Sequence, residues 1–213
     1  MKTLIWRELR IAATGGSFLL PLIFFLLVAS LFPFAVGPDA PLLARTGGGA
    51  MWMAALLAAL LPVDRLVEQD RAHGVLDQLA LREVSEENIA LAKLAGHWLS
   101  FGPPLMLAAL PASALLGLQG EALIRLELGL LAGTPGLAAL TLIVAALTAG
   151  LRGTSALAGL LMLPVAVPIL IFGAGLAADG NEGGALKLLA ALSLFLVAVA
   201  PFAAGAAIRA ARD

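Results

Sequence analysis

Cysteine and tyrosine are absent from the 213 residues, and histidine occurs only twice. Without cysteine there is no disulfide, thiol nucleophile, thiolate metal centre or CxxCH haem attachment. His73 and His97 stand too far apart for an HExxH or an i,i+4 metal pair, so metal-hydrolase chemistry has no support. Charge is scarce as well. Only 13% of residues are Asp, Glu, Lys or Arg, where a soluble domain carries about 25%. Gly47–Gly48–Gly49 lacks the Lys and Ser/Thr of a phosphate-binding loop. Gly153–Thr154–Ser155 has no histidine or acid placed to activate a serine, and reads instead as a turn with an N-cap. No catalytic residue and no resident metal are expected, and nucleic acid is not among the expected partners.

What is present is apolar. Hydrophobic residues make up 61% of the chain, and the mean hydropathy is +1.01. Ser17–Val36 is an uncharged run of 20 residues. As a helix it covers about 30 Å, the hydrocarbon thickness of a bilayer. The pattern repeats, predicting six spans at Ser17–Val36, Gly48–Val63, His97–Leu118, Leu126–Ala149, Ser155–Ala178 and Ala185–Ile208. Glu127 lies near the start of the fourth, where it can sit at headgroup depth. The fold class expected is an all-α integral membrane protein forming a single transmembrane domain over 1–213, with no cleavable signal peptide.

Basic residues set the orientation. Lys2, Arg7, Arg10, Arg65, Arg71, Arg82, Lys93, Arg152, Arg209 and Arg212 fall on the side of the termini, against Arg45, Arg125 and Lys187 on the other. Ten against three predicts cytoplasmic termini. Residues 1–16 alternate Leu4, Ile5 and Leu9 with Lys2, Arg7, Glu8 and Arg10, with Trp6 suited to the headgroup layer. This predicts an interfacial helix, turned into the bilayer by Gly15–Gly16.

The polar centre is the cytoplasmic loop 64–96, with half of the acids in the chain. Its segment Leu66–Leu81 reads as two short helices meeting at Gly74. Ser85 then reads as an N-cap with Glu86 and Glu87 in the first turn, opening a helix that runs through Ile89–Lys93 into the third span. So long a loop favours contact with a soluble partner through its acidic face. The contact residues expected are Glu68, Asp70, Gly74, Asp77 and Gln78, with Gly74 permitting close backbone approach. His97 and Trp98, at the cytoplasmic mouth of the third span, are the residues nearest to a haem role, although an interfacial anchor is the simpler reading. Prolines inside the spans, Pro164 with Pro168 above all, predict kinks that serve either as a hinge or as static packing. No chain of intramembrane carboxylates supports a proton-coupled carrier.

An interfacial helix, six spans, a long acidic loop after the second span and no nucleotide motif resemble the membrane subunit of a type-2 ABC exporter (ABC-2 type). A finer resemblance runs from about Leu31 to Arg209. It is carried by Leu31-Phe32-Pro33, Trp52-Met53-Ala54-Ala55-Leu56-Leu57, Asp70, Gly74, Asp77-Gln78-Leu79, His97-Trp98, Gly133-Thr134-Pro135 and Pro201-Phe202-Ala203-Ala204. These are similar to the heme exporter protein B family, the permease-like subunits of cytochrome c maturation. Members often carry a proline-rich stretch after the coupling segment. Here Arg82-Glu83-Val84-Ser85-Glu86-Glu87 is charged and proline-free. The resemblance implies a soluble ABC ATPase as partner, haem-handling membrane subunits beside it, and a bacterial inner-membrane location. Haem is then a transported or partner-bound ligand, not a cofactor of this chain. Three readings follow: haem passes between the spans, the chain mechanically releases haem held by a partner, or another amphipathic cargo is exported.

Overall fold

A computed structural model describes residues 2–14, 19–37, 39–151, 154–177 and 182–212. Among these there is no strand. The helices are α1 (Lys2–Thr14), α2 (Leu19–Val36), α3 (Ala40–Leu60), α4 (Val63–Leu66), α5 (Glu68–Ala72), α6 (Val75–Leu81), α7 (Glu86–Leu115), α8 (Glu121–Thr148), α9 (Thr154–Ala177) and α10 (Glu182–Ala210). Six are long and apolar enough to cross a membrane, namely α2, α3 and α7–α10. The helical stretch that holds the second span runs on to Ala72, but the 21 residues of α3 already cover a hydrocarbon core. Pro62 then caps the separate α4, which places α4–α6 beyond the end of the span.

The second span corrects the sequence reading. It begins at Ala40 and not at Gly48. The Asp39 side chain accepts a hydrogen bond from Leu42 N at 3.2 Å, and Pro41 sits in the first turn where its missing N–H costs nothing. The glycines 47–49 therefore lie inside a helix. A side chain at Gly48 would collide with Ala177 of α9, so small residues set how closely these two spans pack.

α8 is the axis of the bundle. It packs on α3, α7, α9 and α10, and 72% of its apolar window is buried, against 17% for α2. Trp52 of α3 is completely enclosed. Its indole fills a notch whose floor is Gly133 of α8 and Gly173 of α9, where any Cβ would overlap the ring. The outward faces of α2, α9 and α10 display Leu, Ile, Val and Phe. That is the surface a helix presents to lipid.

The prolines do not interrupt the helices. α7 continues through Pro103, Pro104 and Pro111, and α9 through Pro164 and Pro168. With 30 residues α7 is about 45 Å long, well beyond a hydrocarbon core. Its first turns, with Glu86 and Lys93, form one wall of the polar end. The expected turn at Gly15–Gly16 lies outside the described residues, as do Arg152 and Gly153.

Candidate functional site

The polar end is built from α4, α5 and α6, a short chain of helices that the sequence breaks twice. Val67 leaves helical geometry between α4 and α5. Gly74 stands at φ +66° between α5 and α6, a conformation costly for any residue with a Cβ. The two-helix bend expected at Gly74 is present. Around Gly74 nothing lies within reach of an added side chain, so within this chain its role is to make the left-handed turn.

The acids of this segment differ in burial and in partners. Asp70 is buried, with 7% of its surface exposed. Arg7 of α1 grips it bidentately, Nη1 donating to Oδ2 at 3.0 Å and Nη2 to Oδ1. The buried Lys93 of α7 donates to Oδ2 as well. Glu8 completes the group, 2.7 Å from Arg7 Nη1 and 3.5 Å from Lys93 Nζ. Two cations and two carboxylates thus balance beneath α1. Burial pushes the Asp70 carboxyl up, but the hydrogen bonds and charges of Arg7 and Lys93 overcome this and hold it below the usual carboxylate range. α1 reaches this depth because Gly96 of α7 leaves the Glu8 Cβ room to sit against the backbone.

Glu68 faces elsewhere. It accepts from Arg71 Nε at 3.0 Å and from the backbone N–H of Gly150 at 2.7 Å. The Arg71 hydrogen bond, helped by that of Gly150, holds its carboxyl low. This ties α5 to the turn after α8. The C-terminal end makes a third tie. Arg212 donates to Asp77 Oδ1 at 3.3 Å and to Glu86 Oε1 at 2.8 Å, and Arg209 to Glu86 Oε2 at 3.1 Å. Ser85 caps α7 as expected, accepting from Asn88 N at 3.3 Å. The segment α4–α6 is therefore clamped to α1, α7, α8 and α10 together.

The far side of α6 faces solvent. Asp77 and Gln78 are exposed on α6, and one turn on, Leu81 is 86% exposed. Together they form a ridge with an apolar side chain flanked by an acid and an amide. Of the five residues expected to meet a partner, Asp77 and Gln78 stand on this ridge, Glu68 is half-buried, Gly74 makes the bend, and Asp70 is enclosed.

His97 and Trp98 do not share a site. Consecutive positions on a helix point about 100° apart. His97 is 3% exposed, stacks on Phe101 with ring centroids 5.2 Å apart, and lines a cavity of only about 40 Å³ with Glu8, Pro62 and Ser100. Trp98 donates to Thr134 Oγ1 of α8 at 3.1 Å. The headgroup-anchor reading is corrected on both counts, because each ring is turned into the bundle. His73 is exposed at the end of α5, its Nδ1 2.7 Å from Gln69 O. Among the described residues no three His, Asp or Glu side chains converge as a metal site.

Sequence reasoning missed Arg7, Glu8, Lys93, Arg209 and Arg212. The signal for Lys93 was present: a lone lysine within the apolar run Ile89–Gly96 must find an acid or stay wet.

Residues 1–211 match the family model described as CcmB protein. This chain belongs to that family. It is 45% identical to heme exporter protein B of Rhodobacter capsulatus, covering 98% of both chains. It is 44% identical to the protein of that name from Haemophilus influenzae over 99% of this chain and 97% of the relative. The Escherichia coli K12 protein is 38% identical over 97% and 98%. The six long apolar helices fit a multi-pass membrane protein of this family.

Proposed function

We propose that this chain is the membrane subunit of an ABC-2-type complex that exports or releases haem for cytochrome c biogenesis. A separate soluble ATPase docks on α6, and the chain lies in the bacterial inner membrane with both termini cytoplasmic. The observation that carries the reading is a solvent-facing ridge on α6 whose segment is anchored to the bundle. Asp77, Gln78 and Leu81 face solvent on α6, while Asp70, Glu68 and Asp77 fasten the same segment to three long helices and the N-terminal helix. A push on the ridge is delivered to the bundle through ion pairs and not through a slack loop. Asp70 then acts as a positioning residue behind the docking face.

Haem held by a partner, and released by motion of this chain, is favoured by the surroundings of His97. A ligand site takes about 300 Å³ or more, and the cavity beside His97 is far smaller.

The test is recovery of the ATPase with the purified membrane complex. Asp77→Lys combined with Leu81→Asp should lower recovery at least about tenfold, since a reversed charge and a lost apolar anchor each cost a docking surface more than 1 kcal/mol. Arg212→Ala removes the same internal ion pair without altering the ridge and should retain the ATPase. Undiminished recovery with the double variant sinks the assignment.

A further inference from the structure

Where α1 packs on α7, the notch of about 40 Å³ has walls from three elements. They are Glu8 and Ala12 of α1, Pro62 just before α4 with Arg65 within it, and His97 and Ser100 of α7. His97 is the residue here that packing alone does not explain. The ring is 3% exposed, and its Nε2 is buried without a hydrogen-bond partner among the described residues. A buried polar atom left unpaired forfeits the hydration it had when unfolded, so nearly all such atoms in folded proteins find a partner. Stacking on Phe101 satisfies a face of the ring and not its nitrogen.

The notch is too small for an organic ligand and large enough for about one to three water molecules. Buried water is held by about two to four polar groups. Besides Arg65, the walls offer the His97 imidazole, the Glu8 carboxylate and the Ser100 hydroxyl. Ser100 Oγ donates to His97 O at 2.8 Å and keeps its lone pairs. Glu8 Oε1 accepts from Arg7 at 2.7 Å, whereas Oε2 meets only Lys93 Nζ among the described residues, at the long distance of 3.5 Å. Oε2 therefore has acceptor capacity to spare. Water donates and accepts at once, so it serves whichever imidazole tautomer is present.

We propose that this notch binds water that links the His97 imidazole to the Glu8 carboxylate, making His97 a positioning residue for α1. Of the buried charge group, Glu8 has the longest bond to α7, through Lys93. A water bridge is enthalpically nearly as good as a direct hydrogen bond, and here it adds a second tie between the two helices. Gly96, next to His97, already lets the Glu8 Cβ sit against the α7 backbone. Fixing Glu8 also fixes its neighbour Arg7, whose guanidinium grips Asp70. The inference involves no partner subunit, so it stands or falls apart from the docking role of α6.

The experiment uses the full chain in lipid bilayers, with histidine and tryptophan labelled with nitrogen-15, recorded with and without EDTA. His73→Gln leaves His97 as the one histidine. In solid-state NMR, polarisation transferred from water should reach the His97 ring at mixing times that leave the enclosed Trp52 indole silent. Thermal unfolding then tests positioning. His97→Phe keeps an aromatic ring against Phe101 and loses the nitrogen. Its Tm loss and that of Glu8→Gln should overlap, the double variant falling at least about a quarter less than their sum. His97→Gln restores a side-chain N–H and should recover part of the Tm lost in His97→Phe. Where His97→Phe does not fold, the NMR of the parent chain decides alone. A His97 ring as silent to water as Trp52 overturns the proposal. So does a ring signal that EDTA shifts, which would mark a metal ion in the notch, and so do additive Tm losses.

Discussion

Asp70 is the residue on which the polar end turns. Its partners lie 63 positions before it and 23 after it, so its acidity was legible in the sequence but its burial was not. An acid in a polar loop reads as solvated until tertiary structure brings Arg7 and Lys93 to it. Breaking one side of a buried charge group costs about 3–5 kcal/mol, because the remaining charges stay desolvated. Asp70→Asn leaves two cations against Glu8 alone and should destabilise by about that amount. Asp70→Asn with Lys93→Met restores balance between Arg7 and Glu8, so the double variant should be more stable than the single one. Thermal unfolding of the purified chain and its variants measures the cycle, and simple additivity would show that the four charges do not act together. The pH dependence has a fixed sign. Asp70 is held below its usual range, so its contribution is complete above the unfolded value of about 4 and is lost as pH falls through the lower folded value. The Tm gap between wild type and Asp70→Asn should be constant from pH 7 to 5 and narrow only below about pH 4.

At the scale of elements, the hydrophobic runs located all six spans, because lipid demands long apolar helices whatever their neighbours. Position within a run was less legible. The start of α3 was missed because Arg45 and three glycines masked the cap at Asp39, although Asp followed by Pro two residues later is a helix-start signal. The charged stretch after α6 closes with a Schellman turn. Val84 N donates to Leu79 O at 3.1 Å and Glu83 N to Ala80 O at 2.8 Å. Glu83 occupies the left-handed position at φ +58°, where glycine is favoured and a side chain costs about 1 kcal/mol. Glu83→Gly should therefore stabilise the chain by up to about 1 kcal/mol, read as a rise in Tm, while a fall would show that the Glu83 side chain has a role of its own. Gly173 predicts the opposite. A side chain there meets the enclosed Trp52, and Gly173→Val should destabilise by about 1–3 kcal/mol or more through overpacking.

Across the whole molecule, the charges and the architecture point the same way. The helices α5 and α6, the C-terminal arginines and the N-terminal helix gather on one side of the spans through ion pairs, and a hollow lined by Arg45 and Arg125 lies at the other. Ten of the thirteen basic residues belong to the first side. The bias predicts that it faces the cytoplasm. The chain has no cysteine of its own, so single cysteines report orientation without background. Gln78 and Asp39 are both exposed and lie at opposite ends; Asp70, being enclosed, would be a poor reporter. In intact spheroplasts a membrane-impermeant maleimide should label a cysteine at position 39 and spare one at position 78. After permeabilisation both should react. Labelling of position 78 alone before permeabilisation would invert the protein, place the α6 ridge where no cytoplasmic ATPase could reach it, and remove the basis for a docking role.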